Sequence, residues 1–165
     1  MVQIEVVDNA SLLRLELARD LVREYAVLPH VNGRWFTADA EIAALPAQYV
    51  SPTGVFLVAT ENGGGLGCGA LRANDTLGIA EVKRMYVRPS ARGRGVGALL
   101  LQALLDHAVT LGFSNVRLDT ATELTAARTL YERFGFLEIL RYRDDLLPDS
   151  VCYGRALLRR DHIVD

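Results

Sequence analysis

The chain of 165 residues is short of cysteine, histidine and lysine, and each shortage excludes something. Its two cysteines, Cys68 and Cys152, lie far apart in strand-like surroundings, which reads as buried free thiols rather than a disulfide or a reactive pair. Two cysteines and the scattered His30, His107 and His162 make no metal-ligand spacing, so no metal site is expected. Lys83 is the only lysine, and nothing around it supports imine chemistry. No apolar run approaches the roughly 20 residues that span a bilayer. The start, Met1–Glu5, lacks the basic and then apolar pattern of a signal peptide, so a cytoplasmic location is expected. A net charge of -2 gives no basic excess for nucleic acid. Half of the residues are hydrophobic and 23% are charged, as in a folded chain and unlike a disordered one. The length suits one domain over residues 1–165, without repeats, linkers or low-complexity segments.

What the chain does have is a basic, glycine-rich stretch, Ala80–Ala98, AEVKRMYVRPSARGRGVGA. A strand-like run to Val87 enters a loop that closes on Arg92-Gly93-Arg94-Gly95-Val96-Gly97, and a helical pattern starts at Ala98. Such a turn lets backbone approach a ligand and aims the free N–H groups of a helix N-terminus at it. Those groups favour an anion, usually a phosphate. From Val82 to Ala98 there are Lys83, Arg84, Arg88, Arg92 and Arg94 and no acidic residue. Arginine suits phosphate, and Arg92 and Arg94 stand inside the turn.

Around this stretch the pattern alternates between strand and helix. Val2–Val7 reads as a strand, Asp8-Asn9 as a cap, and Leu13, Leu17, Leu21 and Tyr25 as one face of a helix over 10–27. Thr37 is positioned to cap a short helix, Ala38–Leu45. Val55–Thr60 is a buried strand, paired back as a hairpin with Leu66–Arg72 through Asn62–Gly65. Gly67 and Gly69 weaken that strand or permit a close contact. In the next strand, Ile79–Val87, the apolar parity slips from Val82 to Met85 and Val87 across Lys83-Arg84, which predicts a β-bulge. A helix to Leu111, a strand Asn115–Asp119, a helix capped by Thr122 and two strands, Phe136–Leu140 and Val151–Leu158, complete the chain. The order β, α, α, three β, α, β, α, β, β predicts a single α/β (α+β) domain with one mixed, mostly antiparallel sheet.

Two phosphate ligands compete for the turn. Gly93-Arg94-Gly95-Val96-Gly97-Ala98 fits the dinucleotide fingerprint, and Asp119 ends the next strand about twenty residues on, the position of a ribose partner. Against a small NAD-binding domain, only 68 of the 165 residues follow Gly97, hairpins precede it, and the loop Arg88–Gly93 is long for the fingerprint's tight turn. No Gly-Lys-Ser/Thr follows the glycines, as a nucleotide-hydrolysing loop requires.

The alternative is coenzyme A. The stretch resembles the GNAT family of N-acetyltransferases, whose signature Gln/Arg-x-x-Gly-x-Gly/Ala is matched by Arg92–Gly97. The family's Ala-x-x-x-Tyr followed by Gly-Phe is matched by Ala127–Tyr131 and Gly135-Phe136. The resemblance covers most of the chain and implies a central sheet with a bulged, splayed strand between helices. A closer likeness runs to a bacterial subset of the family, through Glu41–Gly54, Glu81–Val87 and Ser150–Tyr153, and implies no single substrate.

The resemblance implies acetyl-CoA as acyl donor, cofactor contacts from Met85, Tyr86, Val87, Arg92, Gly93, Arg94, Gly95, Val96, Gly97 and Ala98, and a backbone N–H beside Met85 that stabilises the oxyanion. It implies Tyr131 as the acid that protonates the leaving thiolate, and Glu81 as a general base, directly or through a water. The other reading of Glu81 is an exposed strand residue paired with Arg84 or Lys83, and that of Tyr131 a core tyrosine. Arg84 and Arg88 either reach the ligand or keep a loop soluble. Many members carry an asparagine where Leu124 stands here, which leaves open a CoA-binding sensor of the same fold without the chemistry. The acceptor is expected to be a small-molecule or peptide amine, with no nucleic acid or membrane partner; members are often homodimers. Its pocket is expected between the first two helices and the late loop, with Trp35, Phe36, His30, Tyr49 and Tyr142 as candidates for its lining.

Overall fold

A computed structural model describes residues 1–31 and 38–157. Trp35, Phe36, the expected cap Thr37, Leu158 and His162 lie outside the described residues. The element order is the expected one: β1 (Gln3–Val6), α1 (Leu12–Ala26), α2 (Ala38–Ala44), β2 (Gly54–Glu61), β3 (Gly64–Ala73), β4 (Ile79–Val87), α3 (Val96–Thr110), β5 (Asn115–Ala121), α4 (Thr125–Arg133), β6 (Leu137–Ile139) and β7 (Ser150–Ala156). The seven strands form one sheet in the order β1-β2-β3-β4-β5-β7-β6. Among the described residues only β4 and β5 run parallel; every other neighbouring pair is antiparallel.

The sheet is buried on both faces at its centre. Val55, Leu57 and Ala59 of β2 join Leu71, Ala80 and Val82 in a core with Leu100, Leu101 and Leu104 of α3 and Tyr131 of α4. Phe56 and Val58 point the other way, with Cys68, Ala70 and Tyr86, toward Ala18, Leu21 and Val22 of α1 and Ile42 of α2. This double burial is why β2 reads as a continuous apolar run. Cys68 and Cys152 are both buried and free, as expected.

The parity slip in β4 is a real bulge. Cys68 pairs with Tyr86 but Ala70 with Lys83, so Gly69 alone opposes Arg84 and Met85. Arg84 takes the left-handed conformation there, φ 57°, and Cys68 Sγ donates to its carbonyl at 3.3 Å. Gly69 is required by a close approach: a Cβ on it would stand 2.7 Å from Met85 Sδ and 3.0 Å from Leu104 Cδ1.

Three local expectations are corrected. Ser11 caps α1, its hydroxyl accepting from Arg14 N, while Asp8 Oδ1 instead accepts from Ala10 N in the turn before it. Thr122 does not cap α4, which begins after Leu124; its hydroxyl donates to the carbonyl of Asp149 at 2.7 Å and ties down the loop before β7. Helix α3 begins at Val96, two residues before Ala98, because Gly95 at φ 78° serves as its N-cap and its carbonyl accepts from Leu99 N.

Candidate active site

The parallel pairing of β4 and β5 is brief. It runs through Ile79–Asn115, Ala80–Val116 and Glu81–Arg117 and then stops. Beyond it the bulge at Arg84 turns β4 away, and a cavity of about 580 Å³ fills the opening. Because side chains alternate along both strands, the cavity has two chemical halves. Toward α3 and α4 it is apolar and aromatic: Val82, Met85, Leu118, Leu124, Ala127 and Tyr131. Toward α1 and the loop before β7 it is charged: Arg72, Lys83, Arg84, Asp119, Arg143 and Asp145, with Tyr25 and His30.

Glu81 is not the exposed residue of the second sequence reading. It is 2% exposed, at the last paired position before the strands part, and its partners are neither Arg84 nor Lys83. Its Oε2 accepts from Arg72 Nε at 3.3 Å and Nη2 at 3.2 Å, and Arg143 Nη1 lies 3.5 Å from Oε1. Glu81 Oε1 accepts no hydrogen bond among the described residues. Lys83 donates to Asp119 Oδ1 at 3.0 Å across the gap. Asp119 faces Lys83, and among the described residues the sheet has a single parallel pair, so the doubly wound dinucleotide reading is set aside.

Tyr131 is 6% exposed on α4 and lines the apolar half, its ring against Phe136 and Tyr153 at centroid distances of 6.0 and 6.2 Å. Burial pushes its phenol well above the ordinary tyrosine range, so it keeps its proton. Tyr25, on the opposite side, is pushed up to about 12 by burial.

Arg84 and Arg88 are held away from the glycine turn. Arg84 makes a two-pronged pair with Glu41 of α2, Nε to Oε1 at 2.7 Å and Nη2 to Oε2 at 2.5 Å, and Tyr49 donates to the same carboxylate at 2.9 Å. Burial opposes the charge of Glu41, but the Arg84 bonds outweigh it and hold the carboxyl below the usual glutamate range. Arg88 grips Glu24 of α1 with Nε and Nη2 and reaches the carbonyl of Gly65. Tyr86 faces α1, its hydroxyl 3.2 Å from Glu24 Oε2. Of Met85, Tyr86 and Val87, only Met85 therefore lines the cavity; Val87 packs against the α3 core.

In the turn, Gly93 and Gly95 have φ 73° and 78°, and a Cβ on either would meet nothing within 4 Å, which leaves their backbone open to solvent. Arg92 Nε donates to the carbonyl of Val87, and Arg94 pairs with Glu61 at 2.6 Å on the surface. Val96 is buried, and Leu130 of α4 packs beside Gly97 at the start of α3. No acidic residue stands in the first turn of α3.

The expected acceptor pocket is found in part. His30 and the late loop line the cavity, but Tyr49 is core, edge-to-face against Phe56 at 5.6 Å, and Tyr142 lies outside the lining, with the guanidinium groups of Arg117 and Arg143 at 5.4 and 5.9 Å from its ring centroid. Sequence reasoning missed Arg72 and Arg143. The first was legible, because hairpin register about the turn 74–78 sets Arg72 opposite Glu81. Nothing in the sequence points Arg143 of a ten-residue connection at the same carboxylate.

A family model described as "Acetyltransferase (GNAT) family" matches residues 18–136. An uncharacterized N-acetyltransferase of Schizosaccharomyces pombe is 35% identical over 150 residues, covering 87% of this chain and 92% of that protein. Among solved structures, a GNAT-family acetyltransferase from Staphylococcus aureus superposes with a TM-score of 0.79 at 18% identity, covering 96% of this chain and 100% of that one. A Salmonella typhimurium protein solved with its cofactor acetyl-CoA superposes at 0.70 with 21% identity, covering 99% and 96%. At these identities the structural likenesses establish the fold.

Proposed function

The chain belongs to the GNAT acetyltransferase family, and from that premise we propose that it transfers an acetyl group from acetyl-CoA directly to a primary amine of a small molecule or peptide. The observation that carries the reading is the parting of β4 and β5, which leaves the β5-facing edge of Val82–Val87 without a strand beside it among the described residues, with Tyr131 on one wall of the opening and Glu81 buried against Arg72 and Arg143 of the other.

The residues present fit the donor. The open backbone of Gly93–Gly95 and the unbonded N–H groups at the start of α3 suit the pyrophosphate, with Arg92 and Arg94 beside them. The apolar wall of Met85, Leu118, Leu124 and Ala127 suits the pantetheine arm, so Leu124 substitutes packing for a polar contact. Bound there, acetyl-CoA supplies its acyl group as an activated thioester.

The chain's own residues move two protons. A primary alkylamine, with a pKa near 10.4, is neutral in only about one molecule in a few thousand at pH 7, so it must lose a proton before it attacks. Glu81 Oε1, buried and without a hydrogen-bond donor, takes that proton, directly or through a water. As the nitrogen–carbon bond forms and the carbon–sulfur bond breaks, the Tyr131 hydroxyl donates its proton to the departing sulfur, and the second proton that the nitrogen sheds on becoming an amide restores the hydroxyl.

Calorimetry with CoA and a thiol-release assay over a panel of primary amines test the proposal together. Expected are CoA binding and amine-dependent thiol release. CoA binding without release by any amine would leave a sensor of the same fold, and absence of both would end the donor assignment.

A further inference from the structure

Each cation of the charged half has a carboxylate within reach: Arg72 and Arg143 share Glu81, which stands behind the lining, Lys83 pairs with Asp119, and Arg84 with Glu41. One member of this network is loosely held. Arg143 comes from the connection between β6 and β7 and spreads over three carboxylates: Nη1 is 3.5 Å from Glu81 Oε1, Nη2 is 3.8 Å from Asp119 Oδ1, and Nε is 3.1 Å from Asp145 Oδ1. None is a well-made bond. Arg143 Nε is not aligned to donate, and Glu81 Oε1 accepts nothing. Arg143 Nε and Glu81 Oε1, both buried, therefore each keep bonding capacity unspent, with Arg143 Nη1 at 3.5 Å from Oε1.

An entering ammonium alone would compete with Arg143 for Glu81 and Asp119 and leave the guanidinium uncompensated in a partly buried place. An entering anion alone would strip Arg143 from the carboxylates. Either loss is costly. A molecule carrying both charges avoids it, because its ammonium takes the place of Arg143 beside Glu81 while its carboxylate receives the freed guanidinium in a two-pronged bond. The cavity, about 580 Å³ in all, must also take the acyl end and the pantetheine arm of the donor, which favours a small acceptor.

Building on the acetyltransferase reading above, we propose that the acceptor is a zwitterion, a small free amino acid, and that Arg143 receives its carboxylate. The amine is then delivered to Glu81 by the same exchange of partners that admits the substrate, and amines without an acid group are rejected because they leave Arg143 unpaired.

The test is the thiol-release assay with free amino acids, their carboxamides and the corresponding decarboxylated amines. For the preferred side chain, kcat/KM for the free acid should exceed that for amide and amine by about a hundredfold. Arg143→Gln should raise KM for the acid and bring the three acceptors nearly level, while its CoA affinity by calorimetry stays that of the wild type and certifies the fold. Equal rates with acid and amide, or discrimination that survives Arg143→Gln, would overturn the proposal and leave the acetyltransferase reading standing. Failure of every amine, with CoA bound, would overturn both.

Discussion

Arg72 and Glu81 stand opposite each other in the β3–β4 register, and Arg72 gives Glu81 Oε2 two hydrogen bonds at 3.3 and 3.2 Å, at the last residue before β4 parts from β5. The pair is lopsided: the Glu81 side chain is 3% exposed and that of Arg72 is 29%. A carboxylate so enclosed depends on its partners to stay charged.

Removing the guanidinium should therefore cost more than removing the pair. Arg72→Met is expected to destabilise the fold by about 3 kcal/mol, the low end for an abandoned buried charge, because Arg143 still stands 3.5 Å away. Adding Glu81→Gln should recover part of that loss. Urea denaturation of the four proteins in the cycle measures the coupling, and additive single effects would show that Arg72 does not hold Glu81.

Tyr131→Phe separates chemistry from packing. The ring contacts with Phe136 and Tyr153 survive the change, so thermal stability should hold. Loss of the proton donor should lower kcat by about a hundredfold, a typical general-acid contribution, with CoA affinity little changed. Wild-type kcat would remove the hydroxyl from the mechanism.

Much of this was legible from the chain, and the reasons differ by element. The order of strands and helices followed from periodicity and from glycines at turn positions. The bulge followed from a parity slip, because a single extra residue must switch the buried face. The burial of Glu81 did not follow, since β4 is covered on both faces at Ile79–Val82 and a strand enclosed on two sides has no polar face to read. Arg88 and Arg84 read as a basic loop because their partners, Glu24 and Glu41, lie 64 and 43 residues earlier on helices that only the fold brings near. The caps failed for a local reason: Asp8 and Thr122 are good capping types, but each spends its side chain on a neighbouring loop.

The glycine turn makes a contrasting pair of predictions. Gly95→Ala forces a side chain to φ 78° with no neighbour to meet, so its cost is conformational alone, about 1–2 kcal/mol, and CoA binding should weaken with it. Gly97→Ala places a methyl 3.4 Å from Leu130 Cδ2, an ordinary contact inside the first turn of α3, and should leave stability level or slightly higher. Thermal melts and CoA titrations of both variants check the contrast. Equal stability loss would show that the left-handed N-cap is not what the turn requires.

The Glu41–Arg84 pair gives the fold an acid limit with a definite sign. Arg84 holds the Glu41 carboxyl below its ordinary value, so the folded state keeps it ionised where the unfolded chain has begun to protonate. The stabilisation is then fully present above the unfolded value of about 4.3 and is lost as pH falls through the lower folded value. Glu41→Gln removes it at every pH and leaves Arg84, 12% exposed, without its carboxylate. Wild type should melt higher than Glu41→Gln at pH 7, with the gap constant down to about pH 5 and closing below pH 4. A gap that widens on acidification would mean that Glu41 is protonated in the folded protein and that the bulge at Arg84 is held by something else.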